Sequence, residues 1–322
     1  MRILATGGCG DVGSYAVTQL VERGHEVAVF DIQGPSPIVE GVDEAVTFFR
    51  GNVTDPIDVY DTVVGFDPDR IVHMAAMLTP ACEANPRAAF DVNVDGTIHV
   101  LEAASSVGVN RVVVASSISI YGGVSPDQVS TLEEDVVPQP DHVYAVTKFV
   151  VEHLCRVYRE QRGLEFAALE PVRGLGPGTT SGYTKDAELI KRAVAAEAVS
   201  MTDEPPVETL HTADFASAFV ETVLAGTLSY DRYIVGGVEM VTLSDIAELV
   251  RSELPDADIT VTAGTVEDAL ALPRTGSSRL ADDVGWSPEY SMAETIGEYV
   301  EWLQANRDRW SLDGETGDEV DG

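Results

Sequence analysis

Basic charge is what this 322-residue chain has least of: 20 Lys and Arg stand against 54 Asp and Glu, a formal net charge of −34, and the only lysines are Lys148, Lys185 and Lys191. Nucleic acid is excluded as a partner on that ground, because binding it rests on a cationic face that neutralises phosphates. Cysteine is scarce too. Cys9, Cys82 and Cys155 are odd in number and lack paired or metal-type spacing, so neither a disulfide framework nor a zinc site is expected. A reducing cytoplasm suits them. No run of about 18 uncharged apolar residues exists to cross a bilayer, and Met1-Arg2 leads directly into Ile3-Leu4-Ala5 without a cleavage region, so no membrane association or secretion is expected. Internal repeats are absent as well.

The carboxylates are spread along the whole length, and only the segment 312–322 clusters them. Dispersed acidity with almost no lysine suits a protein that stays hydrated in concentrated salt, where screening removes much of its self-repulsion. A salt-adapted protein is therefore expected, and 310–322 reads as a solvated acidic tail. Hydrophobic residues make up 44% and charged residues 23%, an ordinary globular composition.

Short β-branched runs alternate with longer amphipathic stretches in the first half. This pattern predicts an α/β fold, a Rossmann-type doubly wound parallel sheet covered by helices. Strands are expected at 2–5, 26–30, 46–49, 70–73, 111–116 and 165–169, and helices at 11–23, 56–65, 86–107 and 142–162. After Pro171 the texture changes to the Gly/Pro/Thr-rich stretch 173–182, followed by helices near 185–199, 213–226, 243–254 and 291–306. The expected division is a dinucleotide-binding domain over 1–170, to which 211–236 returns, and a smaller substrate-binding lobe made of 171–210 and 237–309.

The first strand runs into Thr6-Gly7-Gly8-Cys9-Gly10-Asp11-Val12-Gly13, which opens a helix. Glycines there permit a tight turn and close backbone approach to a pyrophosphate, and the helix N-terminus supplies unpaired N–H donors. Asp31 ends the second strand, where its carboxylate would accept from ribose hydroxyls and repel a 2′-phosphate, which favours NAD over NADP. After the third strand, Asn52 could reach an adenine edge with Val53 on its face. The same residues also read as a turn capping the helix at Pro56, with Thr54 or Asp55 as the cap.

Tyr144 and Lys148 lie four apart in a helical pattern and so share one face. A nearby ammonium is expected to lower the tyrosine pKa toward a range where the phenol can exchange a substrate proton. Upstream, the apolar run Val113-Val114-Ala115 ends in the hydroxyl-rich Ser116-Ser117-Ile118-Ser119, where a serine can bond the reacting oxygen.

With these residues assembled, the chain resembles the extended short-chain dehydrogenase/reductase family, the NAD-dependent epimerase/dehydratase group. The resemblance rests on the glycine turn at 6–13, His73-Met74-Ala75-Ala76, Asn93-Val94-Asp95-Gly96-Thr97, the Ser117 loop, the Tyr144/Lys148 pair, His211-Thr212-Ala213-Asp214 and Gly285-Trp286-Ser287-Pro288. It implies Tyr144 as acid/base, Lys148 holding the nicotinamide ribose, Ser117 orienting the substrate oxygen and Asn93 shaping the helix and proton path. It also implies cofactor contacts from Gly7, Gly10, Asp11, Val12, Gly13, Asp31, Asn52, Val53, Ala75, Ala76 and Pro171. Substrate contacts would come from Met77, Ser117, Ile118, Arg173, Thr179 and Thr180. His73 and His211 are expected to be structural. A homodimer is implied, paired through the helices at 86–107 and 142–162.

Departures from the group bear on substrate. Nucleotide-sugar members carry an Asn where this chain has Arg173, and an Arg where it has Pro206-Val207-Glu208; Arg274 is the one loose candidate for a second phosphate-clamping Arg. A diphosphate needs compensating cations, so an uncharged or singly charged substrate is equally in view. His73-Met74-Ala75-Ala76-Met77-Leu78-Thr79 and Gly178-Thr179-Thr180-Ser181-Gly182-Tyr183 are also similar, in part, to the short-chain type of L-threonine 3-dehydrogenase. The expected function is hydride transfer at a secondary alcohol of a sugar or sugar-derived substrate. The alternatives are a simple dehydrogenase of a free sugar, sugar acid or L-threonine, and, from another class, a non-catalytic NAD-binding regulator.

Overall fold

The structure, a computed structural model, describes residues 1–34, 45–179, 184–264, 272–276 and 278–312. A parallel sheet of seven strands dominates it. These strands are β1 (Arg2–Thr6), β2 (Glu26–Asp31), β3 (Val46–Arg50), β4 (Arg70–His73), β5 (Arg111–Ala115), β7 (Glu165–Pro171) and β11 (Arg232–Val235). Across the sheet they follow the order β11-β7-β5-β4-β1-β2-β3. Three small sheets carry the remaining strands: β12 (Glu239–Val241), β10 (Val207–His211) and β8 (Arg173–Leu175) form one, β13 (Ile259–Thr262) with β9 (Val199–Thr202) a second, and β14 (Arg274–Thr275) with β6 (Thr131–Leu132) a third.

The helices are α1 (Asp11–Glu22), α2 (Pro56–Phe66), α3 (Thr79–Ala84), α4 (Pro86–Ala89), α5 (Gly96–Val107), α6 (Val143–Arg162), α7 (Lys185–Val194), α8 (Thr212–Leu224), α9 (Leu243–Glu253), α10 (Arg279–Val284) and α11 (Met292–Ala305). Central strands such as Ile3-Leu4-Ala5 and Val112-Val113-Val114 are fully buried on both faces, as the parallel arrangement requires. One face packs on α1 and α8, through residues such as Val17, Leu20 and Phe219. The other packs on α2, α5 and α6, through Val63, Leu101 and Val151. A third apolar cluster joins α7, α9 and α11 around Leu189, Ile246 and Tyr299.

All six strands expected from the sequence are present, and β11 extends their sheet at its edge. Two helices differ from expectation. The stretch 86–107 is interrupted by a π-helical turn at Phe90–Asp95, and the helix starting at Lys185 stops at Val194 because Ala196 takes a left-handed φ of 59° before β9. Strands β6, β8 to β10 and β12 to β14 were not foreseen, being only 2–5 residues long.

The chain winds from β1 outward to β3 and then returns to β4 on the other side of β1. This reversal opens a crevice at the carboxyl ends of the strands, where doubly wound sheets bind ligands.

Candidate active site

A cleft of about 560 Å³ lies at that reversal. β1 delivers the glycine turn to it, and here the backbone leaves no room for side chains. Gly7 sits at φ 71° and donates its N–H to Phe30 O at 2.9 Å; a Cβ on it would fall 2.5 Å from the Ala75 nitrogen. A Cβ on Gly13 would fall 2.2 Å from Gly7 O. Gly10 differs, because the nearest atom to its would-be Cβ is Gly7 O at 3.4 Å. Packing within the protein therefore does not require glycine at 10, and a group approaching the backbone from the cleft does. Gly10 caps α1 without a side-chain hydrogen bond, and Asp11, Val12 and Gly13 in the first turn all line the cleft. This cradle fits a dinucleotide pyrophosphate.

Asp31 is held against the same turn. Its Oδ2 accepts from Cys9 N at 2.9 Å and its Oδ1 from Gln33 N at 3.0 Å, which fixes the carboxylate at the end of β2. Asn52 Oδ1 accepts from Thr54 N, Val53 is buried beneath Gly96, and Asp55 caps α2 by accepting from Ile57 N at 2.8 Å. The capping reading of this turn is thus realised in Asp55. Asp31, Asn52 and Val53 stand outside the main cleft lining.

Helix α6 carries Tyr144 and Lys148 to the cleft wall, facing Ser117 at the end of β5. Ser117 lines the cleft beside Tyr144, near enough for its hydroxyl to lower the phenol's pKa, and its hydroxyl oxygen accepts from Ser119 N at 3.2 Å, starting a 3-10 turn. Lys148 Nζ donates to Ala115 O at 2.7 Å and lies 5.5 Å from the Tyr144 ring centroid. The structure reverses the direction expected for Tyr144. Burial pushes the phenol up to about 12, and it is the Ser117 hydroxyl that pulls it back. Lys148 is itself lowered to about 8 by burial, so its ammonium is kept close to deprotonation.

Asn93 sits buried in the π-helical turn, which points its amide across to Met77, Thr147 and Cys82, the last at 3.7 Å. Its Oδ1 accepts from Met77 N at 2.7 Å, and its Nδ2 donates to Met77 O and to Thr147 Oγ1, both at 3.0 Å. It therefore ties the loop after β4 to α6 one residue before Lys148. Thr97 Oγ1 donates to Asn93 O at 2.6 Å and lies 3.0 Å from His73 Nε2, so that nitrogen carries the proton and Nδ1 accepts from Thr6 at 2.6 Å. Burial drops His73 to about 3. His211 caps α8 by accepting from Ala213 N at 3.0 Å and stacks on Tyr290, while Asp214 accepts from the Glu289 and Tyr290 nitrogens. Both histidines are thus buried and hydrogen-bonded within the protein.

Among the expected contacts, Gly7, Gly10, Asp11, Val12, Gly13, Ala76, Ser117, Tyr144, Lys148, Pro171, Arg173 and Thr179 share the main cleft. Ala75 packs on Gly7, Met77 serves through its backbone, and Ile118 lines a second pocket that shares Val172 and Arg173 with the cleft. Thr180 lies outside the described residues. Sequence reasoning missed Leu78, Thr79 and Pro80 after β4 and Thr212, Phe215 and Phe219 on α8, all lining the cleft. Nor did it find the buried network behind Ser117. Glu152 bonds Ser116 Oγ and pairs with Arg232 at 3.0 Å; Glu170 pairs with Arg232 at 2.7 Å and accepts from Tyr121 OH at 2.9 Å. The signal was available, since Glu152 repeats the four-residue step from Tyr144 to Lys148 on one helix face.

A family model described as "NAD dependent epimerase/dehydratase family" matches residues 3–236, well over half of the chain. The chain belongs to that family. Its relatives include a UDP-glucose 4-epimerase of Corynebacterium glutamicum, 25% identical over 99% of this chain and 97% of that protein. A 3-beta-hydroxysteroid dehydrogenase of Mycolicibacterium neoaurum is 29% identical over 77% of this chain and 69% of its own. The crystal structure of the Thermus thermophilus UDP-glucose 4-epimerase in complex with NAD is 26% identical, covers 95% of this chain and all of its own, and superposes with a TM-score of 0.81. None of these three is a threonine dehydrogenase, so the partial likeness to that enzyme gains no support. The family's enzymes are NAD dependent, in keeping with the cradle at Gly10, and no helix among the described residues is long and apolar enough to cross a membrane.

Proposed function

We propose that the cleft transfers hydride at a secondary alcohol of a sugar or sugar-derived substrate, with Tyr144 as the acid/base. The observation that carries this reading is that Ser117, Tyr144 and Lys148 line one cavity together with the glycine turn at Gly7, Gly10 and Gly13. NAD, when bound, supplies the hydride acceptor and donor. Ser117 would bond the substrate oxygen, Tyr144 Oη would take or return its proton, and Lys148 would anchor the nicotinamide ribose. Asn93 and Thr147 hold the segment that carries this pair. Asp31 would meet the adenosine ribose, with Asn52 and Val53 farther along the same edge.

A homodimer through the 86–107 and 142–162 helices belongs to the same proposal, supported by Phe90 and Val157, which stand 38% and 42% exposed on them. So do a cytoplasmic setting and a salt requirement, supported by the three buried free cysteines and the −34 charge. The test follows near-ultraviolet absorbance of reduced nicotinamide with NAD and, in turn, free aldoses, sugar acids and nucleotide sugars. Net NAD reduction identifies a dehydrogenase. Substrate conversion without net reduction identifies an epimerase, and NAD binding without turnover of any substrate contradicts the catalytic reading.

A further inference from the structure

The second pocket, about 180 Å³, lies beside the cleft, and Val172 and Arg173 line both. Its walls are apolar: Ile118, Pro206, Val207, Met240 and Leu272. Its principal charge is a carboxylate. Glu208 on β10 is 8% exposed, and its oxygens accept from Thr275 N at 2.8 Å and Thr275 Oγ1 at 2.9 Å.

Cations are almost missing from the walls of these two adjoining cavities. All 20 lysines and arginines fall among the described residues, and only Lys148 and Arg173 line either cavity. Lys148 Nζ is committed to Ala115 O beside Tyr144. Arg173 pairs at 3.0 Å with Asp186, whose side chain is fully buried, so the two charges cancel at the mouth of the second pocket. Arg274 lies between two lining residues, but it is exposed and its positive charge is felt by Glu208. A diphosphate placed here would leave water, face a carboxylate and find no uncommitted cation among the lining residues, an arrangement that disfavours anions in a partly desolvated site.

We propose that this pocket takes a neutral, largely apolar substituent of the substrate and turns away a nucleoside diphosphate. The substrate class is then an unphosphorylated sugar or related alcohol bearing an apolar group on the side away from the reacting carbinol. Glu208 adds an acceptor for a hydroxyl on that group, and the Arg173–Asp186 pair orients it without supplying net charge. The inference rests on the hydride-transfer reading of the adjoining cleft.

The test is calorimetric titration of the NAD-loaded protein with n-hexyl β-D-glucopyranoside and, separately, with UDP, at one fixed salt concentration. The glucoside is expected to bind at least about tenfold tighter than UDP. Installing a cation with Val207→Arg, or with Met240→Lys should the first variant fold poorly, is expected to raise UDP affinity by at least about tenfold and leave the glucoside's unchanged or weaker. UDP binding as tightly as the glucoside or more tightly in the unaltered protein overturns the proposal, as does failure of both probes to bind. Failure to load NAD at all would strike the hydride-transfer reading instead.

Discussion

Replacing Arg232 tests whether the network behind Ser117 holds the site together. Arg232, 13% exposed on β11, reaches Glu170 on β7 at 2.7 Å and Glu152 on α6 at 3.0 Å, and donates to Tyr121 OH at 2.6 Å and Glu134 O at 3.2 Å. Arg232→Met removes the one guanidinium between two carboxylates that are 2% and 0% exposed. Breaking a buried pair from one side costs about 3–5 kcal/mol, against about 0.3–0.5 kcal/mol for an exposed i,i+4 pair such as Arg87–Asp91. Urea unfolding of R232M and R87M at the same salt should separate these two magnitudes. Burial already raises the Glu152 and Glu170 carboxyls, and Arg232 opposes that rise, so its loss raises them further. A carboxyl whose folded pKa exceeds its unfolded value stabilises below the unfolded pKa and loses that contribution as pH climbs through the folded one. The R232M deficit should therefore be smallest near pH 5 and grow toward pH 9, and adding Glu170→Gln should recover part of it. An R232M protein within about 0.5 kcal/mol of the parent at all pH values would refute the reasoning.

The glycine turn gives a contrasting pair. Gly13→Ala drives a Cβ against the Gly7 backbone at 2.2 Å and should lower both stability and affinity for reduced NAD, read by nicotinamide fluorescence. Gly10→Ala meets nothing closer than 3.4 Å, so it should fold normally and still lose about tenfold or more in affinity; equal affinity would show that the cofactor does not approach there. Lys148 sits at about 8, so kcat/KM should fall as pH rises past that value and the ammonium is lost. Lys148→Arg keeps a cation and should abolish that limb even at a lower overall rate, and an unchanged limb would assign it to another group.

The central sheet was legible because fully buried parallel strands are short apolar runs, as in Val112-Val113-Val114, and because the glycine turn has no other physical use in that context. Tyr144, Lys148 and Ser117 were legible through spacing on one helix and one strand end. Phe215 and Phe219 were not, because nothing local says that α8 lines the cleft; that follows from α8 packing beside α1 on one face of the sheet. Asn93 was named, but the π-helical turn that aims its amide at Met77 and Thr147 carries no distinctive residue pattern. The direction of the Tyr144 shift was misjudged for a related reason. Spacing brings the ammonium near, whereas the opposing desolvation depends on walls contributed by distant segments.

Single-turnover reduction of NAD by the Tyr144→Phe protein, with the secondary-alcohol substrate that the parent protein oxidises as hydride donor and NAD affinity measured in parallel, tests the central claim most directly. Loss of the positioned phenolic proton carrier should slow hydride transfer by roughly 10² to 10⁴ while cofactor affinity changes little. An unchanged rate would contradict the assignment of Tyr144 as acid/base and with it the proposed chemistry of the cleft.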